Sequence, residues 1–115
     1  MALKEIPGDL SGTKGTVETI QIVPNDVATV LKIVSILYGT NAAGPVAVPV
    51  NADGKSFDLA ILPGNNLLQV TLFSPNPVDG LATAQELLGG VVTILKDDIE
   101  FVGGVAVWSP EILGA

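Results

Sequence analysis

The 115-residue sequence predicts an all-β fold: an antiparallel β-sandwich or small barrel, jelly-roll or immunoglobulin-like, of seven to eight short strands with one short helix. Three observations carry that expectation. Short runs rich in Val, Ile, Leu and Thr recur along the chain. Turns built from Gly, Pro, Asn and Asp separate them about every ten residues, the cadence of a sandwich. One local segment alone is rich in good helix formers, Leu81 to Leu88.

Residues 1–15 hold Pro7, Gly8, Gly12 and Gly15 among scattered Leu3, Ile6 and Leu10, a composition that predicts an extended arm. Such an arm is either a frayed terminus or a strap in which Ile6 and Leu10 anchor on a neighbour. Residues 16–115 form the single domain, long enough to bury roughly two thirds of the unfolded surface. From Thr16 the pattern is strand-like, with Val17, Ile20, Ile22 and Val23 around Glu18 and Gln21. Pro24-Asn25-Asp26 turns into Val27 to Tyr38, the longest apolar run. Seven of its twelve residues are Val, Ile, Thr or Tyr, which suit a pleated surface. Read in strict alternation both of its faces are apolar, which predicts a strand covered on both sides. The rival reading is a helix capped by Asp26 and ended by Gly39, with Thr29, Lys32 and Ser35 as a polar stripe.

Val46 to Val50 contains Pro49, which lacks a donor for a sheet ladder and predicts an edge strand. Asn51-Ala-Asp-Gly54 predicts a hairpin turn into Lys55 to Leu62, where Phe57, Leu59 and Ile61 alternate with Ser56, Asp58 and Ala60. After Pro63-Gly-Asn-Asn66, the run Leu67 to Ser74 sets Leu68, Val70 and Leu72 against Gln69, Thr71 and Phe73. Residues 46–74 thus read as a three-strand meander. Leu81 to Leu88 reads as the short helix, stopped by Gly89-Gly90. Val91 to Leu95 is a strand, Lys96-Asp97-Asp98 a charged turn, and Ile99 to Trp108 a strand with a bulge at Gly103-Gly104, ended by Pro110.

Composition excludes more chemistry than it offers. The chain has neither Cys nor His, which removes disulfides, thiolate chemistry, the commonest general base and the commonest transition-metal ligand. Without a His base, Ser74 and Ser109 are not nucleophiles of the usual triad kind. Twelve carboxylates, five Lys and no Arg give a net charge of -7, a surface that repels phosphate, so no nucleic-acid partner is expected. No apolar run approaches the roughly 20 residues of a membrane span, and the start lacks the pattern of a secretory signal, so a soluble protein made in the cytoplasm is expected, with no membrane partner. Charged residues make up 15% of the chain against about a quarter in an ordinary domain. A small domain this poor in charge either exposes much apolar area or buries it on another chain, and self-association is the reading preferred here.

The remaining motifs are weak. Lys14-Gly15-Thr16 looks like the tail of a phosphate loop but lacks its upstream strand and first Gly. Asp97, Asp98 and Glu100 cluster at a turn and can hold calcium through oxygen, but the spacing of a calcium loop is absent and a solvated hairpin tip accounts for them. No cofactor or metal is expected, and no catalytic residues, so the chain reads as a protein that is not an enzyme. A carboxylate-pair hydrolase is the least favoured alternative. Tyr38 reads as a core residue in need of a hydrogen-bond partner. Trp108 is either core or an interface anchor, and joins Ile6 and Leu10 as the candidate interface residues.

The segment Ile61-Leu-Pro-Gly-Asn-Asn-Leu-Leu-Gln-Val-Thr-Leu-Phe-Ser74 resembles the turn-into-strand of many immunoglobulin-like and jelly-roll modules. The whole profile, short, acidic, Cys-free and mostly β with a Pro- and Gly-punctuated amino-terminal arm, resembles the small decoration or cement proteins of tailed-phage capsids. That resemblance implies a homo-oligomer, dimer or trimer, bound to the major capsid protein on the exterior of the virion. The alternative expectation is a carbohydrate- or calcium-binding sandwich using Trp108 and the acidic turns.

Overall fold

Inward and outward side chains alternate along most strands of the computed structural model, which describes residues 10, 15–40, 44–87 and 89–114. In chain order the strands are β1 (Val17–Pro24), β2 (Lys32–Thr40), β3 (Gly44–Ala47), β4 (Ser56–Ala60), β5 (Gly64–Phe73), β6 (Ala82–Glu86), β7 (Val91–Ile94), β8 (Val105–Trp108) and β9 (Glu111–Gly114). They form two antiparallel sheets. One has the order β4-β1-β6-β7; in the other, β3-β2-β5 is completed by β8 and β9, both paired with β5. Each sheet turns one apolar face inward, and the two faces meet in one core that includes Phe57, Leu59, Leu68, Leu72, Ile94 and Trp108. The predicted β-sandwich is the observed fold.

β2 corrects the reading of Val27 to Tyr38. The strand begins at Lys32, and only one face is covered: Leu31, Ile33, Ile36 and Tyr38 are buried, while Val27, Val30, Val34 and Leu37 are exposed. The cause is a bulge. Ile33 lies opposite Leu72 and Ser35 opposite Thr71, which leaves Val34 as an extra residue. Two inward residues before the bulge are therefore joined to two of the opposite parity after it. Strict alternation scattered these four over two faces; the bulge collects them on one.

β6 corrects the predicted helix. Ala82, Ala84 and Glu86 point inward in period two, and the strand is paired on both sides, Ile22 opposite Ala84 and Ala84 opposite Val92. Backbone pairing to two neighbours overrides a helix propensity worth only tenths of a kcal/mol per residue. The small inward side chains fit a crowded middle position. The one helical piece among the described residues is a 3-10 turn, Lys96–Asp98, at the predicted charged turn.

The meander predicted over 46–74 is also corrected. The edge strand expected at Val46 to Val50 is β3, which runs Gly44–Ala47 and leaves Pro49 outside it, and β4 belongs to the opposite sheet. The turn between them closes on itself, with the Asn51 N–H donating to the Ser56 carbonyl at 2.8 Å and the Gly54 N–H to the Asn51 carbonyl at 2.9 Å. The Val48 N–H donates to the Ile36 carbonyl of β2 at 2.9 Å, Pro49 has no donor with which to continue the ladder, and the connection touches β2 again where the Ile33 N–H donates to the Gly54 carbonyl at 3.2 Å. The chain leaves its sheet along this connection. Gly103-Gly104 is a turn rather than a bulge: both residues have positive φ, and Val102 and Val105 exchange backbone bonds of 2.9 and 3.2 Å across them. That is the two-glycine hairpin geometry. Pro110 interrupts the strand without ending it, because Trp108 opposite Val70 and Glu111 opposite Leu67 keep one register through it.

Four connections, 25–31, 48–55, 74–81 and 95–104, lie at one end of the sandwich. Their grouping sets the distribution of charge.

Candidate functional site

The outward faces of the two sheets carry almost no charge. On the sheet containing β5, the outward positions of β2, β3 and β5 include Leu37, Pro45, Ala47, Leu67, Gln69 and Thr71. Val105, Val107 and Leu113 continue the face on β8 and β9. Lys32 and Glu111 are the charged residues among these outward strand positions. The Lys32 Nζ lies 5.6 Å from the centre of the Phe73 ring directly across the ladder, a cation–π contact. The outward face of the other sheet is built from Val17, Thr19, Gln21, Thr83, Gln85 and Val91, with Asp58 as the charged residue among its described strand positions. There Asp58 accepts the Thr19 hydroxyl at 2.6 Å.

A shallow hollow of about 200 Å³ lies on the first face between β2, β3 and β5, walled by Leu37, Pro45, Leu67 and Gln69. Gly39 makes it. A Cβ at Gly39 would sit 2.2 Å from the Gly44 carbonyl oxygen, so only glycine lets β3 approach this closely. Its lining holds no titratable group, which leaves it without acid-base chemistry.

Charge gathers at the end formed by the four connections. Asp26, Asp53, Asp79, Asp97, Asp98 and Glu100 lie there with Lys55 and Lys96. An ion pair crosses it, Lys96 to Asp79 at 3.4 Å, both side chains well exposed. Asp53 ties its own turn: Oδ1 accepts the Lys55 N–H at 2.9 Å, and the Ser56 N–H and hydroxyl at 3.0 Å each. The Lys55 N–H, ahead of the Ser56 bonds, holds the Asp53 carboxyl below the usual range. Among the described residues no three His, Cys, Asp or Glu side chains are grouped to hold a metal ion.

Two polar clusters are internal. The Tyr38 hydroxyl donates to Asn66 Oδ1 and accepts the Leu62 N–H at 3.1 Å, while Asn66 Nδ2 donates to the Leu62 and Gly64 carbonyls at 3.0 Å each. This network fastens the β4 to β5 connection, and burial raises the pKa of Tyr38 above that of a free phenol. Tyr38 is thus the core residue with a partner that the sequence called for. Glu18 is 2% exposed on the inward face of β1 and accepts the Thr16 hydroxyl at 3.0 Å. Glu86 is buried as well, on β6, opposite Ile20.

Of the candidate interface residues, Ile6 lies outside the described residues. Leu10 is 1% exposed and Trp108 0%, so both side chains lie in the core of the single chain. The outward positions Val34 and Leu37 were missed because the run containing them read as covered on both sides. A bulge leaves no fixed mark in composition, so the signal available was only that Val34-Ser35 sits between two pairs of opposite parity.

Comparison of the chain with protein-family models, with curated proteins and with solved structures finds no match. The fold class, an antiparallel β-sandwich with few charges on its sheet faces and an acidic end, is what its own geometry defines.

Proposed function

We propose that the chain is a structural protein of a virion that self-associates and decorates the outer surface of a viral capsid, where it stabilises the shell by adhesion to the major capsid protein. The observation that carries the reading is the surface itself. Thirteen Val and Leu side chains are exposed among the described residues, while the charged groups of the connections are gathered at one end. Removing such apolar area from water contributes roughly 25 cal/mol per Å² before the cost of ordering both partners. The sheet faces are the adhesive parts and the acidic end remains in water, where its carboxylates are solvated. The profile shared with small phage decoration proteins supports the same assignment.

Sedimented virus particles from the producing host, labelled with gold-coupled antibody against the purified chain, test it. The reading expects label on the capsid exterior. Chain recovered only in the supernatant, with bare particles, contradicts it.

A further inference from the structure

The sandwich has four open edges, and β7 differs from the other three. β3 carries Pro45 and is followed by Pro49; β4 carries exposed Asp58 in its middle. Along β8 and β9, Val105 is closed on Val102, Pro110 interrupts, and Glu111 adds a charge. Prolines, charges and bulges of this kind prevent an edge from pairing with another chain. β7, Val91-Val-Thr-Ile94, has none of them, and three of its four residues are Val or Ile.

Its backbone groups are also available. The Glu86 N–H donates to the Gly90 carbonyl at 2.7 Å, in the register that sets Ala84 opposite Val92 and Ala82 opposite Ile94. Bonded positions alternate along an antiparallel ladder, so Val92 and Ile94 direct their N–H and C=O groups to β6, while Val91 and Thr93 direct theirs away from it. Among the described residues neither Val91 nor Thr93 has a backbone partner on that side. Val91 is 58% exposed.

We propose that β7 pairs with β7 of a second copy of this chain, antiparallel across a two-fold axis at Val92, so that Val91 lies opposite Thr93 of the partner subunit. This deepens the self-association on which the proposed function rests. The register uses every free N–H and C=O of Val91 and Thr93 in both copies. It also keeps Val92 and Ile94 on the inward face, so the two four-stranded sheets become one sheet of eight with a continuous apolar side. Charge selects the antiparallel sense. Each copy carries Asp97 and Asp98 just beyond β7; a parallel pair would set these turns side by side in chains of net charge -7, whereas the two-fold axis places them on opposite sides.

The chain has no Cys, so a single V92C substitution reports the axis directly. At a non-hydrogen-bonded position facing itself, the two Cα atoms lie about 4.5 Å apart, within disulfide reach. The proposal expects V92C to oxidise to a covalent dimer at micromolar concentration. It expects T93P, which removes an N–H that no bond among the described residues uses, to keep the circular dichroism spectrum and weaken the dimer at least about 30-fold. T93K provides a second variant with the same expected readout. An oligomer that V92C does not cross-link and that neither T93P nor T93K weakens overturns the β7 pairing while leaving self-association standing. A wild-type chain that is monomeric throughout overturns both.

Discussion

Trp108 is fully buried, and among the described residues its indole N–H meets no acceptor within hydrogen-bond distance. A buried donor left unpaired costs about 1–3 kcal/mol, so the ring must contribute more through packing than its nitrogen forfeits. W108A should cost about 3–5 kcal/mol, as for large aromatic truncations in cores, whereas W108F removes the orphan donor together with one ring and should cost less than W108A. Urea unfolding at one protein concentration measures both. A W108A variant of unchanged stability that lost only its oligomer would place the residue at an interface instead. The sequence left Trp108 open between these roles because its neighbours Val107 and Ser109 suit either; the answer lies in β5, where Val70 sits opposite it. Tyr38 was more legible. An isolated phenol at the end of an apolar run needs a polar partner when buried, but nothing local named Asn66, twenty-eight residues away, as that partner.

β2 is the element on which alternation and structure diverge, and its bulge can be tested by deletion. Removing Val34 leaves Leu31, Ile33, Ile36 and Tyr38 in unbroken alternation, all still facing the core. The deletion should fold with a loss of no more than about 2 kcal/mol, the cost of the lost local twist. Removing Leu37 instead would turn Tyr38 outward and break its bonds to Asn66 and Leu62, and should prevent folding. Thermal melts followed by circular dichroism separate the two; equal damage from both deletions would contradict the assignment of Val34 as the extra residue. β4 and the run from Leu67 in β5 were readable in advance because of their alternation and the Asp53-Gly54 turn, whereas β5 begins already at Gly64, inside the predicted turn Pro63 to Asn66, because β9 pairs with those residues. β6 was not. Its residues are helix formers in isolation, and its strand state is imposed by β1 and β7, which come together with it only in the fold.

At the scale of the molecule, the low charge content and the sheet topology act together. Turns attract Asp for local reasons, as Asp53 demonstrates by bonding its own turn, and the topology gathers four of those connections at one end. The consequence is a body whose broad sides are Val, Leu, Thr and Gln and whose solvated groups are displaced to a rim. Composition alone predicted apolar excess; it did not reveal that Val17, Leu37, Leu67, Val91, Val105 and Leu113 lie on sheet faces and one unguarded edge while Val27, Val30, Leu95 and Val102 lie among the connections at the acidic end, because that depends on a bulge and on strand order. Light scattering of the wild-type chain over a concentration series is the most direct test of this account. Association predicts a mass at least twice 11.7 kDa at micromolar concentration that falls towards the monomer on dilution. A constant 11.7 kDa at every concentration up to the millimolar range would contradict it.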